Sequence, residues 1–263
     1  MADDYLHGHP EPVLRSHRWR TAENSAAYLL PHLDESDVLL DVGCGPGTIT
    51  IDLAGRVGSA VGVDASSDVV AAATESALSA VGDASVSFRT ADVYDLPFAD
   101  GHFDVVHAHQ VLQHLTDPVA ALREMARVAR PGGLIAVRES DYGGFTWSPD
   151  VAGISEWRDR YRSVARDLGA DPDAGRRLLG WCLDAGLTDV ESSASVWCFA
   201  GEDRRWWADV WIDRIGSEPL RGRLTGDGAD DEELDTMQAG WRAWSDAPDG
   251  WFAVLHGEVL VRV

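Results

Sequence analysis

The sequence predicts an α/β protein with a doubly wound, mostly parallel seven-stranded sheet, an antiparallel last strand, an N-terminal helix and helical lid insertions. Short apolar runs alternate with helical windows between residues 38 and 140, and this alternation is typical of a parallel sheet with helices on both faces. The runs are almost wholly apolar, as expected for strands buried on both sides. A length of 263 residues suits one domain.

The first helix is predicted at residues 14–31, where apolar side chains recur on one face until Pro31. Five strands follow, at 38–43, 59–64, 85–92, 103–109 and 134–140. Helices are predicted between them at 47–57, 66–81 and 117–130. The last of these ends at Pro131, which is followed by two glycines and stops a helix.

Beyond residue 141 the pattern changes. Helices are predicted at 150–169, 174–186, 203–215 and 231–246, a Gly/Asp-rich loop at 222–231, and strands at 188–200 and 251–263. We therefore expect a single domain over residues 1–263. Its predicted parts are an N-terminal cap at 1–32, a ligand-binding core at 33–141, lid insertions at 142–172 and 201–247, and sheet-completing segments at 174–200 and 248–263.

The chain is strongly acidic, with 22 Lys+Arg against 44 Asp+Glu and a formal net charge of −22. Such a field repels phosphate backbones and anionic lipid, so nucleic-acid and membrane partners are disfavoured. Every basic residue is Arg, which excludes Schiff-base and P-loop chemistry because both need a lysine. Codon bias and adaptation to high salt both remain explanations of the acidity.

Three dispersed cysteines, Cys44, Cys182 and Cys198, form no C-x-x-C pair and indicate a reducing compartment. The first residues lack the pattern of a signal peptide, and no apolar stretch approaches the ~18 residues of a membrane helix. We expect a cytoplasmic protein, either a monomer or a homodimer. No metal site is expected, because His7 and His9 lack further ligands nearby.

The strongest local signal is LLDVGCGPGTIT at residues 39–50. An apolar strand ends near Asp41 and is followed by Gly43, Gly45 and Gly47 and then a helix, so the glycines lie at the ligand-binding edge of the sheet. Glycines allow positive φ and close approach of a ligand. Dinucleotide sites have G-x-G-x-x-G instead; here an acid stands two residues before the first glycine, which suits an ammonium group and repels a pyrophosphate.

This segment resembles motif I of the class I S-adenosylmethionine-dependent methyltransferases, and three further features occur in that family's order. They are VGVDAS at 61–66, RTADVYDLPF at 89–98, and the block at 103–140, which is similar to the ubiquinone/menaquinone-methyltransferase-like subgroup. The resemblance implies a Rossmann-like sheet, and S-adenosyl-L-methionine as the cofactor of the core at 33–141.

The resemblance also implies that Asp64 binds the ribose hydroxyls of the cofactor and that Asp92, with the backbone of Val93, meets the adenine. The full set of expected cofactor-binding residues is Asp41, Gly43, Cys44, Gly45, Gly47, Asp64, Ala65, Ser66, Ala91, Asp92, Val93, His109, Gln110 and Arg20. Alternatives remain. Asp41 could bind local N–H groups, Asp64 could cap a helix, Asp92 competes with Asp95, and Cys44 could be only a small loop residue.

His109 and His114 follow the fourth strand and are the candidate catalytic residues, since histidine can act as a base near neutral pH. The alternatives are that His114 only shapes its loop and that His109 packs beside the cofactor. Expected substrate-binding residues are Tyr5, Glu139, Asp141 and Tyr142. In relatives an N-terminal helix folds over the cofactor, where Arg18 or Arg20 could meet its carboxylate.

Ten of the eleven Trp residues follow residue 146. We expect two or three of them to line a substrate pocket and the others to pack in the core. The predicted function is methyl transfer from S-adenosylmethionine to a small-molecule acceptor, aromatic or apolar (a natural product or a quinone-like compound), giving S-adenosylhomocysteine. Two alternatives stay open: a cofactor-binding protein without catalysis and a nicotinamide-dependent oxidoreductase.

Overall fold

The computed structural model describes residues 11–80 and 85–263, which contain eight strands and ten α-helices. The strands are β1 (Val38–Val42), β2 (Ser59–Asp64), β3 (Val86–Thr90), β4 (Phe103–His109), β5 (Ala129–Ser140), β6 (Thr146–Ser148), β7 (Asp189–Ala200) and β8 (Trp251–Arg262). The helices are α1 (Glu11–Arg18), α2 (Ala22–Ser25), α3 (Thr48–Ala54), α4 (Ser67–Ala80), α5 (Pro118–Val128), α6 (Ala152–Asp167), α7 (Leu178–Asp184), α8 (Asp203–Gly216), α9 (Leu220–Gly226) and α10 (Asp231–Asp246).

The strands form one sheet in the order β3-β2-β1-β4-β5-β8, with β7 on the far side of β8. β1 to β5 are parallel, whereas β8 runs antiparallel to both of its long neighbours. The predicted doubly wound, mostly parallel sheet with an antiparallel last strand is therefore confirmed.

The sheet has one strand more than the seven predicted. The extra strand β6 has three residues and pairs with the start of β8. β5 pairs with β8 only from His256 onward, so the first residues of β8 have a free edge on that side. After β5 the chain makes a 3₁₀ turn at Tyr142–Gly144 and pairs with this free edge as β6. A run of three residues is too short to show periodicity, which explains why the sequence did not predict it.

The predicted helix at 14–31 is divided into α1, α2 and a 3₁₀ turn at Leu30–His32. The division lies at Thr21, whose hydroxyl accepts the N–H of Asn24 (3.2 Å) while the Asn24 side chain accepts the N–H of Thr21 (2.9 Å). This reciprocal capping box satisfies the first N–H groups of a new helix and so ends the preceding one.

Other boundaries differ by short segments. The predicted helix at 174–186 is a 3₁₀ turn at Ala174–Arg177 followed by α7, and the predicted loop at 222–231 is helical in part because α9 extends to Gly226. No helix in the described part of the chain is long and apolar enough to cross a membrane. The cytoplasmic location stays a prediction.

Successive side chains of the central strands face opposite layers. Leu40 packs into a cluster with α5 and α7, whereas Leu39 packs against α3 on the other face. A third cluster is almost separate from these two and joins α6, α8, α9 and α10 to the start of β8 through aromatic side chains, with Trp157 4.3 Å from Trp211 and 4.9 Å from Trp241 between ring centroids.

Helices α6 and α10 cross where Gly153 faces Gly240. A Cβ on Gly240 would lie 2.8 Å from the Cα of Gly153, and a Cβ on Gly153 would lie 2.3 Å from the carbonyl oxygen of Thr236. These distances leave no space for a methyl group, so the two helix backbones are in direct contact.

We predict that Gly240→Ala lowers the free energy of unfolding by about 1–3 kcal/mol, because the methyl group forces the helices apart. Urea denaturation measures the change. Gly180→Ala on α7 is the matched control: nothing lies within 4 Å of its added Cβ, and alanine favours a helix, so stability should stay equal or rise by up to about 1 kcal/mol. An unchanged midpoint for Gly240→Ala would contradict the close crossing.

Candidate active site

A cavity of about 580 Å³ opens where β1, β2 and β4 end at their carboxyl edges. Parallel strands present ligand sites at this edge. The lining residues are His17, Arg20, Asp41, Val42, Gly43, Cys44, Gly45, Pro46, Thr48, Ile49, Val63, Asp64, Ala65, Ser66, Thr90, Ala91, Asp92, Val93, Tyr94, His109, Gln110, Val111, Gln113, His114, Leu115, Tyr142 and Arg214.

The glycine loop after β1 forms one wall of the cavity. Gly43 and Gly45 line it and have φ angles of 68° and 54°, a conformation that favours glycine. Gly47, also at positive φ, does not line the cavity: a Cβ there would lie 2.8 Å from the ring of Phe88. The structure thus shows a packing role for Gly47 at the start of α3, and its contact with a ligand stays a prediction.

Asp41 lies beneath this loop. Its carboxylate is buried, with Oδ1 2.7 Å from Nδ1 of His107 and Oδ2 accepting the hydroxyl of Thr50 at 2.5 Å. The side chain reaches the cavity wall, but both oxygens have partners in the protein. This geometry favours the alternative that Asp41 holds local structure.

Asp64 ends β2 and is fixed from both sides. One carboxylate oxygen accepts the N–H of Gly45 (3.1 Å), and the other accepts the N–H of Ser66 (3.0 Å). Ala65 and Ser66 continue the same wall. Each carboxylate oxygen has two lone pairs, so Asp64 can still accept two hydroxyl groups from a ligand.

The end of β3 supplies a third wall from Thr90 to Tyr94. Asp92 is exposed, and one of its oxygens accepts the N–H of Tyr94 at 3.0 Å. Its competitor Asp95 is not among the lining residues. The structure therefore brings Asp92, with Ala91 and Val93, to the cavity.

Cys44 is inert in this setting. Burial, with smaller contributions from Asp41 and Asp64, raises the pKa of its thiol far above the usual value. Its N–H donates to the carbonyl of Val63 at 2.9 Å. Since the thiolate is the reactive form, Cys44 is a small residue of the loop and no nucleophile.

Gln110 joins three elements at the end of β4. It adopts a φ of 55°, and its N–H donates to the carbonyl of Arg138 at 2.8 Å. Its side-chain oxygen accepts from Arg20 at 2.6 Å, and its amide nitrogen lies 2.8 Å from Nε2 of His256. Gln110 thus holds Arg20 at the cavity, whereas Arg18, the other candidate, pairs with Glu11 at 2.7 Å.

His109 is buried in the cavity wall beside Trp197, with 5.6 Å between the ring centroids. Burial, followed by the charges of Arg20 and Arg138, lowers the pKa of His109 well below its usual value. Within the described residues neither ring nitrogen has a hydrogen-bond partner. A neutral imidazole with an unsatisfied nitrogen can hydrogen-bond to a ligand in the cavity.

His114 lies on the segment after β4, where its Nε2 is 3.0 Å from the amide nitrogen of Gln113. Burial, followed by the charges of Arg20 and Arg214, lowers the pKa of His114 to about 3. The Nε2 lone pair accepts the Gln113 amide, and a base with so low a pKa takes a proton poorly at neutral pH.

Glu139 and Asp141 do not line the cavity, so their expected roles in substrate binding are not supported. Glu139 is fully buried and accepts the N–H groups of Val111 (2.9 Å) and Leu112 (2.7 Å). Burial raises its pKa to about 8. Asp141 is also buried, in a two-bond ion pair with Arg176 (2.6 and 2.5 Å). Both carboxylates have partners within the protein: Glu139 holds the backbone after β4, and Asp141 also accepts the N–H of Gly144 at 2.9 Å.

Of the other two expected substrate residues, Tyr142 lines the cavity and Tyr5 lies outside the described residues. None of the eleven Trp side chains lines the cavity, so the expectation that two or three would do so is wrong. Most of them pack in the layer of α6, α8 and α10 or against the sheet, whereas Trp251 is 39% exposed. In the described ranges, no group of three or more His, Cys, Asp or Glu residues could hold a metal ion.

Arg214 and His17 were not among the expected site residues. Arg214 lies on α8 and reaches the cavity because α8 packs against α1. Its Nη2 donates to the hydroxyl of Ser16. His17 lies over the glycine loop, with Nδ1 3.9 Å from a Cβ built on Gly45. These contacts join distant segments, and no local sequence signal predicts them.

A family model described as a methyltransferase domain matches residues 40–137. The chain is 36% identical to an uncharacterized methyltransferase of Schizosaccharomyces pombe, over 98% of this chain and 96% of that one. It is 40% identical to a demethylmenaquinone methyltransferase of Mycolicibacterium vanbaalenii, over 65% of this chain and 75% of that one.

A phosphoethanolamine N-methyltransferase of Haemonchus contortus, solved with S-adenosyl-L-methionine, has a similar fold with a TM-score of 0.59. It is 19% identical, and the match covers 91% of this chain and 52% of that one. With these relatives and this site, the chain belongs to the class I methyltransferases, enzymes that use S-adenosyl-L-methionine as their cofactor.

Proposed function

We propose that the protein transfers a methyl group from S-adenosylmethionine to a small organic acceptor, aromatic or apolar in its body, and releases S-adenosylhomocysteine. The observation that carries this proposal is the cavity itself, which extends from the glycine loop and Asp64 past His109 and His114 to Tyr142. A volume of about 580 Å³ is in the range of small-molecule sites.

The residues of the cavity fit the cofactor. Asp64 would accept the two ribose hydroxyls, and Asp92 with the backbone of Val93 would meet the adenine. Gly43 and Gly45, with Arg20, would hold the amino-acid part. Ala65, Ser66 and Ala91 would complete the wall around the ribose and adenine, and Cys44, Gln110 and His109 the wall around the sulfur. When bound, the cofactor supplies an electrophilic methyl carbon on a sulfonium.

The remaining space supports an acceptor site. Val111, Leu115 and Tyr142 provide apolar and aromatic surface there. We propose that His109 and His114 contact the reacting atoms as neutral imidazoles that orient the acceptor by hydrogen bonds. Positioning of this kind supplies much of the catalysis in a displacement reaction.

The family relationship and the net charge of the chain limit the class of molecule that can be the methyl acceptor. The similarity to a demethylmenaquinone methyltransferase supports a quinone-like or natural-product acceptor. The net charge of −22 argues against nucleic acid. An acceptor space beside the cofactor residues argues against a protein that binds the cofactor without catalysis. The choice between monomer and homodimer stays a prediction.

Incubation with S-adenosylmethionine and a panel of phenols, hydroquinones and hydroxylated polyketides tests the proposal. We expect one methylated product for each S-adenosylhomocysteine formed, detected by mass spectrometry, with at least one member of the panel. Methyl transfer to RNA or protein, with none to any small molecule, would contradict it.

Asp64→Asn is expected to weaken S-adenosylmethionine binding at least about tenfold, or about 1.4 kcal/mol, because an amide offers only one acceptor oxygen to the diol. Calorimetric titration measures the dissociation constant. Asp68→Asn is the control, since this aspartate is exposed on the first turn of α4. Equal affinity of Asp64→Asn and the native protein would refute the ribose assignment.

The pH dependence of kcat/KM tests the role of His114. With a pKa of about 3, the imidazole is neutral throughout the range from about pH 5 to 8, so no limb of the profile in that range should come from it. We expect His114→Gln to lower the rate while leaving the shape of the profile unchanged. An acidic limb that disappears in His114→Gln would identify His114 as a general base instead.

A further inference from the structure

A series of hydrogen bonds extends from the cavity to the last strand of the sheet. Arg20 and Gln110 line the cavity, and Nη2 of Arg20 donates to the side-chain oxygen of Gln110 at 2.6 Å. The amide nitrogen of Gln110 lies 2.8 Å from Nε2 of His256 on β8. Nδ1 of His256 lies 3.0 Å from the carbonyl oxygen of Val254. The series therefore joins a cation at the cavity to the backbone of β8.

One arrangement of protons satisfies the whole series. A guanidinium only donates, so the oxygen of Gln110 must face Arg20 and the amide nitrogen must face His256. A carbonyl oxygen only accepts, so Nδ1 of His256 carries a proton toward Val254. Nε2 of His256 then has the lone pair that accepts the amide N–H of Gln110. Both ends of the series thus require the same orientation of the Gln110 amide.

The imidazole of His256 is held firmly by its surroundings. None of its surface is exposed, and its ring lies edge-on to Trp197 at 4.4 Å and stacks on His109 at 6.0 Å between centroids. The indole N–H of Trp197 donates to the carbonyl of Asn24 at 2.5 Å, so this neighbour is fixed as well. β8 pairs with both β5 and β7 at this residue. The fold therefore fixes the position of Nε2.

The surroundings also keep this ring neutral. Burial, followed by the charge of Arg138, lowers the pKa of His256 well below its usual value. A protonated ring would donate from Nε2, and the amide of Gln110 would then have to present its own N–H groups to Arg20. Two donors would face each other, and the contact with Arg20 would be lost.

We infer that His256 is a positioning residue of the cofactor site, which orients the amide of Gln110 so that its oxygen holds Arg20 at the cavity. This inference rests on the proposed function, in which Arg20 holds the amino-acid part of the cofactor. His256 does not line the cavity, so it acts through Gln110. A guanidinium held in place before the ligand arrives loses less side-chain freedom on binding, which raises affinity.

Calorimetric titration with S-adenosylhomocysteine tests the inference. We expect His256→Phe, which keeps a ring but removes both nitrogens, to weaken binding about three- to tenfold. His256→Gln supplies a side-chain oxygen that can accept the Gln110 amide, and it should restore most of the affinity. His32→Phe is the matched control, because His32 is exposed, and it should bind as the native protein does. Thermal melting verifies that each variant is folded.

A double-mutant cycle separates positioning from a general structural role. Because the effect of His256 passes through one amide, His256→Phe should cause no further loss of affinity in a protein that already carries Gln110→Ala. If His256 only supported the fold, His256→Phe would weaken binding equally in both backgrounds. That additive result would overturn the inference, as would native affinity in His256→Phe alone.

Nuclear magnetic resonance of the native protein labelled with ¹⁵N-histidine tests the proton arrangement without a variant in the sample. We expect Nδ1 of His256 to be protonated and Nε2 to be unprotonated, with the signals assigned by their absence from His256→Gln. A proton on Nε2 would overturn the inference even if His256→Phe does not fold.

The native titration distinguishes failure of this inference from failure of the proposed function. Normal binding of S-adenosylhomocysteine with equal affinity in His256→Phe refutes the role of His256 alone. Absence of binding by the native protein refutes the proposed function and, with it, the inference.

Discussion

The contact on which the rest of the site depends is the buried triad of Asp41, His107 and Thr50. It joins the end of β1 to β4 and to the first turn of α3, so it sets the path of the glycine loop between them. A buried carboxylate is costly unless its oxygens are hydrogen-bonded, and here each oxygen has a partner. The loop can then present Gly43 and Gly45 to the cavity while its anchor stays below.

Glu139 likewise holds the backbone of one cavity wall in place, here the segment that follows β4. It ends β5 and accepts the N–H groups that precede and begin the 3₁₀ turn of His114. Because its pKa is raised to about 8, the folded state binds a proton more tightly than the unfolded chain does, and this carboxyl group contributes less stability as pH rises from about 4.5 to 8. Asp41 and Glu139, two acids that the sequence marks as possible ligand residues, thus organise the backbone around the cavity.

The parts that could be predicted from the sequence are those encoded within a few neighbouring residues. The spacing of Gly43 and Gly45 is a local requirement for positive φ, and Asp64 follows its strand directly, so both were found at the cavity. The sequence could not predict which acidic residues line the cavity and which bond only to the protein backbone. Glu139 and Asp64 each lie near the end of a strand at the same edge, but the segment after β4 folds over the carboxylate of Glu139 and donates the N–H groups of Val111 and Leu112 to it.

The tryptophan residues show even more clearly that local sequence patterns do not predict long-range packing. The high content of Trp after residue 146 predicted that two or three of the rings would line a substrate pocket and that the others would pack in the core, yet most of the rings pack against one another between α6, α8 and α10. Their helical spacing is compatible with either role, because periodicity shows that a face is buried and not what covers it. Arg214 shows the opposite case, a residue that lines the cavity although the sequence did not predict it. A single arginine on a helix gives no local indication of a site, and its position depends on the packing of α8 against α1.

The packing of the Trp rings and the position of Arg214 at the cavity have one cause. Trp157, Trp211 and Trp241 form a rigid layer that fixes α8, and the aromatic layer thereby determines where the cation of Arg214 stands. The Trp-rich segment therefore acts on the site indirectly, through the position of a charge instead of an aromatic wall. The cavity walls at the glycine loop, Asp64 and Asp92 are built from local motifs, whereas Arg214 reaches the cavity only through long-range packing.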